Sequence, residues 1–529
     1  MILSNECMAN VLCRSRKRGR WLAVEEDHVV SAPDALQNLD PVQIVATGIP
    51  EPSSRTAPIF VGDGGYSAIL DAAGETTEHH IHVPAAAEKS LAAEDLEYLK
   101  VKGCFSLPAE SRKLLVAYFK FVHPTFPVID GPAFLHDYAA NGLGGINLLL
   151  LWSMFSVSAS YISLPSRTTA KELYARRAKL LFDLSEEKDK IILVQSALLL
   201  SFWFADTEDV KQSWYWTSIA FGIAQTLGLH REVKNTQIQV SDAQRTLWRN
   251  VWWCCMTRDV WLAFGMGRPL RLDSSNCDCP LPRDSKNQFL NMVIHDELLY
   301  SLEEASSFAT MWLRLITASD VLRDVLLSKS PSLTSVKHLK AQSSSHCGSS
   351  SSSSTKRVDR HLKLHQYATL VALARSTCSE DELRTTADST TTVLEDFLAD
   401  ETTAYVAPVT VPLVVPAMAT YLNTLKSSSA DARTLANDKL RTYRSFLNAI
   451  EDNYPAASIV KGLLDTAQTL ATGTDANQKA PRDKYTPGTI EQLPSTWEFD
   501  WPGGSGQNLW LSPVVASKNV SSHSYMDLA

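Results

Sequence analysis

Five cations stand within seven residues near the start of the chain: Arg14, Arg16, Lys17, Arg18 and Arg20. A run of this kind neutralises phosphates and releases their counterions, so it binds DNA or RNA with strong salt dependence. The same composition also serves nuclear import or stands as a solvated tail, and composition alone leaves the three open. Other candidates for chemistry are weaker. His79, His80 and His82 offer imidazoles to zinc or nickel, but a folded site needs fixed ligands with a supporting shell, and the segment around them is polar. Cys277-Asp278-Cys279 spaces its thiols too tightly for a zinc knuckle and has no second pair nearby, so surface or loop thiols are expected. Arg258-Asp259 reads as a buried ion pair that caps and orients the chain rather than as a catalytic pair. Gly265-Met266-Gly267-Arg268-Pro269 follows a helix rather than a strand, and Pro269 removes an amide that a phosphate nest would use. A tight post-helical turn is expected there. No phosphate loop with lysine, dinucleotide fingerprint or serine elbow is found. No catalytic and no metal-ligating residue is therefore assigned; a protein that is not an enzyme, with no cofactor in the chain as written, is expected.

The elements that must position these residues are bounded by composition. The 529 residues exceed one ordinary domain, and 45% hydrophobic with 20% charged residues is a globular balance. Net charge is −8, which argues against a protein that coats nucleic acid along its length. Residues 1–20 nevertheless carry +4, leaving −12 on the other 509, so contact with an anionic polymer is expected at the N-terminus. Nine scattered cysteines imply no disulfide framework, and the first 20 residues lack the apolar stretch of a secretory leader; a reducing, intracellular compartment is expected. Ile146–Leu164 and Ile191–Ala205 mimic membrane spans. Serines interrupt the first, and the second is short and bracketed by Lys190 and Asp206, so both read as buried helices and no membrane partner is expected.

Helical periodicity predicts an all-α fold: a large multi-helix body with a disordered N-terminal region and a loose C-terminal tail. Leu114, Leu115, Tyr118, Phe119 and Val122 share one helical face until His123-Pro124 ends it. Ile146–Ser163 and Ile191–Phe204 are apolar nearly all round, whereas Thr169–Leu184 and Gln212–Leu227 are amphipathic, the latter stopping at Gly228. Ala243–Phe264, Asp296–Ser328, Arg360–Ser376, Ser379–Leu398 and Leu435–Ile450 follow, the last being the final clear amphipathic helix. Pro408, Pro412 and Pro416 punctuate Val409–Tyr421. The expected organisation is a basic segment at 1–20, a disordered linker at 21–100, a helical domain at 101–330, a Ser-rich insert at 331–358, further helices of the same body at 359–471, and a polar, aromatic tail at 472–529.

Several stretches carry a family resemblance. Ala117-Tyr118-Phe119-Lys120-Phe121-Val122-His123-Pro124-Thr125-Phe126-Pro127-Val128-Ile129-Asp130 resembles the opening of the fungal-specific transcription factor domain, the middle homology region of fungal zinc-cluster regulators. Trp214-Tyr215-Trp216 through Ala220, Ala224 through Arg231, and Thr257-Arg258-Asp259 through Pro269 agree in the same order. The stretch from Arg176 through Glu187-Lys188-Asp189 is most similar to the cutinase-transcription-factor subgroup. The resemblance, which covers roughly residues 105–330, implies a helical regulatory middle region, an N-terminal zinc cluster that reads DNA, usually as a dimer, and an acidic or aromatic C-terminal activating segment.

The zinc cluster is where the chain departs from that pattern. Cys13-Arg14-Ser15-Arg16-Lys17 fits the start of the cluster motif, but the cysteines expected at 10 and 20 are Asn10 and Arg20, Cys7 is three residues early, and none follows before Cys104. No two-zinc cluster folds from these residues; zinc belongs to the protein only if the N-terminal gene model is incomplete. The alternative is a genuine cluster-less regulator. The resemblance implies a nuclear regulator of RNA polymerase II transcription for a fungal metabolic or secondary-metabolite pathway. Arg14, Arg16, Lys17, Arg18 and Arg20 are its candidates for DNA contact or import. Trp497, Glu498, Phe499, Asp500 and Trp501 are a candidate activation segment, where the acids keep the aromatics exposed to a coactivator groove, or else a strand or turn packed on the body. Expected partners are promoter DNA, met directly or through another protein, the transcription machinery and a second subunit of a homo- or heterodimer. The competing reading is a helical ligand- or partner-binding regulator that never touches DNA.

Overall fold

A computed structural model describes residues 56–60, 80–84 and 91–472, the last span without 186, 188, 203–210, 233–240, 272–276, 284–288, 293–299, 346–351 and 428. Two short strands come first, β1 (Thr56–Phe60) and β2 (His80–Pro84), paired antiparallel with Thr56 opposite Pro84 and Phe60 opposite His80. They correct the reading of 21–100 as a linker without structure. Ile59-Phe60 and His80 to Val83 hold the β-branched and aromatic residues that strands favour, in runs too short to show periodicity amid the surrounding glycines and prolines. The helical body also begins earlier than the expected residue 101, with α1 (Ala93–Val101).

The body continues with α2 (Ser111–Ala117), α3 (Gly131–Asn141), α4 (Leu148–Ser158), α5 (Arg167–Leu184), α6 (Lys190–Leu200), α7 (Lys211–Thr226) and α8 (Asp242–Met266). Local chemistry sets the starts. Asp130, Asn147, Ser166 and Asp189 each accept a hydrogen bond from an amide of the first turn of α3, α4, α5 and α6, and Ser241 with Gln244 closes a reciprocal capping box on α8. Gly267 ends α8 at φ 61° and Gly228 takes φ 70° after α7, conformations in which a Cβ is strained. Every residue of α4 is buried. Its serines tolerate that because Ser153 and Ser158 donate back to Leu149 O and Met154 O, each at 2.8 Å.

Beyond α8 come α9 (Leu302–Leu326), α10 (Leu333–Ser343), α11 (Ser353–Ser376), α12 (Glu380–Ala399), α13 (Thr410–Thr424), α14 (Ala430–Ile450) and α15 (Pro455–Thr472). The Ser-rich insert at 331–358 is thus a correction: helices occupy both its ends. Serine composition misleads here, since Ser332 and Ser352 serve as N-caps of α10 and α11. The prolines do not break up 409–421 either. Pro412 lies in the first turn of α13, where a missing amide costs little, and Pro416 sits inside the helix. Leu435–Ile450 is not the last amphipathic helix, because α15 follows it.

The buried apolar side chains form two large clusters. One is built from residues 99–316 with Val358 and Leu362, the other from residues 260–464. Three helices run through both. On α8 the division falls between Met256 and Val260, on α9 between Ile316 and Leu322, and on α11 between Leu362 and Leu364. A seam of polar and aromatic contacts lies where the clusters meet. Phe121 stacks between Tyr161 and Tyr405, with ring centres 5.0 Å away on each side, and the Arg357 guanidinium lies 4.4 Å from the Phe121 ring. Asn453 donates to Ser160 O at 3.1 Å across the same seam. Among the described residues no single helix is long and apolar enough to cross a membrane; Gly131–Gly145 and Leu148–Tyr161 satisfy that test only together, bent by 104°.

Candidate functional site

Three of the resemblance-bearing stretches lie on α7, on α8 and on the chain just after each. Trp214 to Ala220 lies in α7, Ala224 to Arg231 forms its end, and Thr257-Arg258-Asp259 sits on α8 at the boundary between the two cores. Arg258 and Asp259 are both buried, as expected, but they do not pair with each other, which corrects the expected ion pair. Adjacent residues on a helix point about 100° apart, so each finds its partner on a different neighbour. Arg258 turns to the end of α6, donating to Ser201 Oγ at 2.8 Å and Ser201 O at 2.6 Å, with its guanidinium 4.0 Å from the Phe202 ring centre. Ser213 of α7 donates to the same Ser201 carbonyl at 2.5 Å. Burial, aided by Arg271, lowers the Arg258 guanidinium to about 9.

Asp259 turns the other way and pairs with Arg271, whose backbone amide also donates to Asp259 Oδ2 at 2.9 Å. Burial pushes the Asp259 carboxyl above the usual range, and Arg271 opposes that shift. Arg271 then ties the carboxylate to α7: it donates to Trp214 O at 2.8 Å and Ser218 Oγ at 3.0 Å and lies 3.5 Å over the Trp214 ring. This hub joins α6, α7, α8 and the segment after Gly267. It has the chemistry of a coupling device: every named donor is committed to a protein partner, and no nucleophile stands beside a base. Arg271 and Ser201 were not singled out from the sequence; the only signal was the tryptophan-rich start of α7 facing a basic turn.

The remaining motifs have structural tasks. Glu187 accepts from Asn147 Nδ2 at 2.5 Å and from the Asp189 amide at 3.0 Å, while Asp189 caps α6, so this stretch staples α6 to α4. Gly265 to Pro269 makes the expected post-helical turn. The 277–279 pair lies in a loop, as expected, but not at the surface: Cys279 is buried and Cys277 is half-buried, accepting from Trp252 Nε1 at 3.2 Å. The amides of Asp278 and Cys279 both donate to His230 O, which fastens this loop to the end of α7. His80 and His82 lie on β2, and His79 is outside the described residues. Among the described residues no three His, Cys, Asp or Glu groups are placed to hold a metal. The residues of the zinc-cluster motif, Asn10, Cys13 and Arg20 among them, lie outside the described residues, and Cys104, Cys254, Cys255 and Cys279 are buried in the body, where burial raises their thiols. Arg14 to Arg20 and Trp497 to Trp501 lie outside the described residues.

The motif residues of this helical body couple one helix to the next. Residues 115–366 match the family described as the fungal specific transcription factor domain. Among curated relatives, cutinase transcription factor 1 beta of Fusarium vanettenii is 35% identical over 207 residues, 37% of this chain and 23% of that protein. The acetamidase regulatory protein of Emericella nidulans is 34% identical over 176 residues, 32% of this chain and 22% of that protein. Each match spans less than a quarter of the relative's length. The homologues are fungal pathway-specific transcription factors. A solved structure, the K. lactis CBF3 core, aligns with 68% of this chain and 81% of its own at 15% identity and a TM-score of 0.46.

Proposed function

We propose that this chain is a nuclear regulator of RNA polymerase II transcription for a fungal metabolic or secondary-metabolite pathway, acting without catalysis through its helical domain. The observation that carries the reading is the match of residues 115–366 to a transcription factor domain, with relatives that control cutinase and acetamidase. Arg14, Arg16, Lys17, Arg18 and Arg20 contact DNA or direct import. Trp497, Glu498, Phe499, Asp500 and Trp501 recruit the transcription machinery. Promoter DNA is reached directly or through a partner subunit, and no zinc is assigned to the chain as written.

The test separates the two roles of the basic run. The tagged full chain and a variant lacking residues 14–20 are compared for nuclear accumulation and for binding to promoter fragments at several salt concentrations. Import is assigned if the deletion empties the nucleus while DNA binding survives. DNA contact is assigned if affinity falls and the salt slope flattens. A nuclear, DNA-binding protein unchanged by the deletion would overturn both assignments.

A further inference from the structure

The helix α15 buries one face and leaves another uncovered. Ala457 and Leu464 belong to the second core, with Val460 and Ala471 packed against it. Ile459, Leu463 and Leu470 face away from that core and are 44%, 60% and 78% exposed. With Ala456 and Thr466, which are also exposed, they recur every three or four residues and so form one stripe along the helix. The stripe carries no charge, and Thr466 satisfies its hydroxyl on Gly462 O at 2.9 Å. The charged neighbours on α15 are committed elsewhere. Asp465 accepts from Arg444 Nε at 3.0 Å, and Lys461 donates to Asn448 at 2.8 Å and pairs with Glu451, bonds that fasten α15 to α14 and its end. A contiguous apolar stripe left in water marks an interaction surface.

We infer that this stripe is the docking site of the chain's own segment Trp497-Glu498-Phe499-Asp500-Trp501. Pairing with a second copy is disfavoured by area. The stripe from Ile459 to Leu470 is about 16 Å long on a helix about 10 Å across, well short of the about 800 Å² per partner of a stable interface. A tethered segment needs less. The chain leaves α15 at Thr472, two residues past Leu470, and reaches Trp497 after 25 more. A coil of that length spans about 25–30 Å, enough to turn back along the stripe, and a matched tether supplies an effective concentration of about 1 mM. The side-chain order fits as well. In an extended segment Trp497, Phe499 and Trp501 fall on one side at intervals of about 7 Å, and Glu498 and Asp500 on the other. The three rings cover Ile459, Leu463 and Leu470, while the two carboxylates stay in water beside a stripe that offers them no partner. Leu509-Trp510-Leu511, further along the chain, would lay only two side chains on one side. Docking can be measured whether or not the transcriptional reading holds.

The experiment puts the photo-crosslinker p-benzoylphenylalanine in place of Leu463 in the full chain and maps the cross-linked peptides by mass spectrometry. Cross-links within one chain to residues 497–501 are expected. Replacing Trp497, Phe499 and Trp501 together by alanine should remove them. Limited chymotrypsin digestion reads the same contact without a crosslinker. Cleavage after Phe499 should run about fivefold faster in Leu470→Glu than in the unaltered chain, because the protease tracks the undocked population. Leu470 is exposed, so the two proteins should melt at the same temperature. Cross-links to α15 of a second chain, the absence of cross-links to residues 497–501, or equal cleavage rates in the two proteins would overturn the proposal.

Discussion

Mild acid should unfold the helical body, because three buried imidazoles are held neutral by their surroundings. His123 lies among the rings of Tyr118, Phe119 and Phe289, and neither of its nitrogens finds a partner. His361 Nε2 accepts from the Ala407 amide at 3.1 Å, so it has no room for a proton; His365 Nδ1 lies 2.7 Å from His361 O. Burial lowers His123 and His361 to about 3 and His365 to about 4; His365 and Arg357 lower His361 further, whereas the His361 carbonyl opposes the shift of His365. Unfolded imidazoles titrate near 6.5. The unfolded chain therefore binds more protons than the folded one between about pH 6.5 and 4. The stability these groups confer is complete above pH 6.5 and is lost as pH falls towards the folded values. Each histidine loses about 1.4 kcal/mol per pH unit in that window, about 4 kcal/mol per unit for the three. Asp320 works in the opposite sense, since burial raises it to about 6 and the folded state takes its proton first. It is partly exposed, so it offsets less than one of the three protons. The net loss from pH 6.5 to 5 is about 3–6 kcal/mol, comparable with the whole stability of a typical domain. Melting temperatures measured by tryptophan fluorescence from pH 8 to 4.5 should be flat above pH 7 and fall steeply below 6.5. His123→Phe, which keeps the ring packing, should reduce the proton uptake on unfolding by one. A flat profile to pH 5, or an unchanged proton number in His123→Phe, refutes the reasoning.

The hub and the π-turn give further predictions. Arg271→Met strands the buried Asp259 carboxylate and should cost about 3–5 kcal/mol by denaturant unfolding, and Asp259→Leu in the same chain should recover most of it. Arg271→Lys should rescue little, since an ammonium cannot reproduce the contacts to Asp259, Ser218, Trp214 O and the Trp214 ring together. Tyr300→Phe removes the donor to Phe119 O, a carbonyl inside the five-residue π-turn Tyr118–Val122, and should destabilise by about 1–2 kcal/mol in the same assay. Replacing Trp497, Phe499 and Trp501 together by alanine should lower the output of a promoter reporter without changing nuclear accumulation.

The helical body was legible where apolar spacing and cap chemistry coincide. Ala243–Phe264 was read to within two residues of α8, whose ends are set by Ser241, Gln244 and Gly267. Around residues 343–355 composition spoke against the fold, because serine is both a linker residue and an N-cap and only tertiary contact decides between them. Arg360–Ser376 was accordingly begun seven residues late. Pro416 inside α13 was unreadable for a similar reason: packing of Val411, Leu413, Val414 and Ala417 in the second core outweighs the local cost of a proline. The burial of Arg258 and Asp259 was legible from their setting in an apolar helix. Their separate partners were not, since Ser201 lies 57 residues from Arg258 on another helix and Arg271 returns to Asp259 only through the turn that ends α8.

The central claim is that this helical body serves gene control, and chromatin immunoprecipitation of the tagged full chain from its own cells tests it most directly. The account predicts enrichment at a limited set of promoters, with transcripts of the same genes changing when the protein is removed. A protein absent from chromatin, whose removal leaves transcription unaltered, would contradict it.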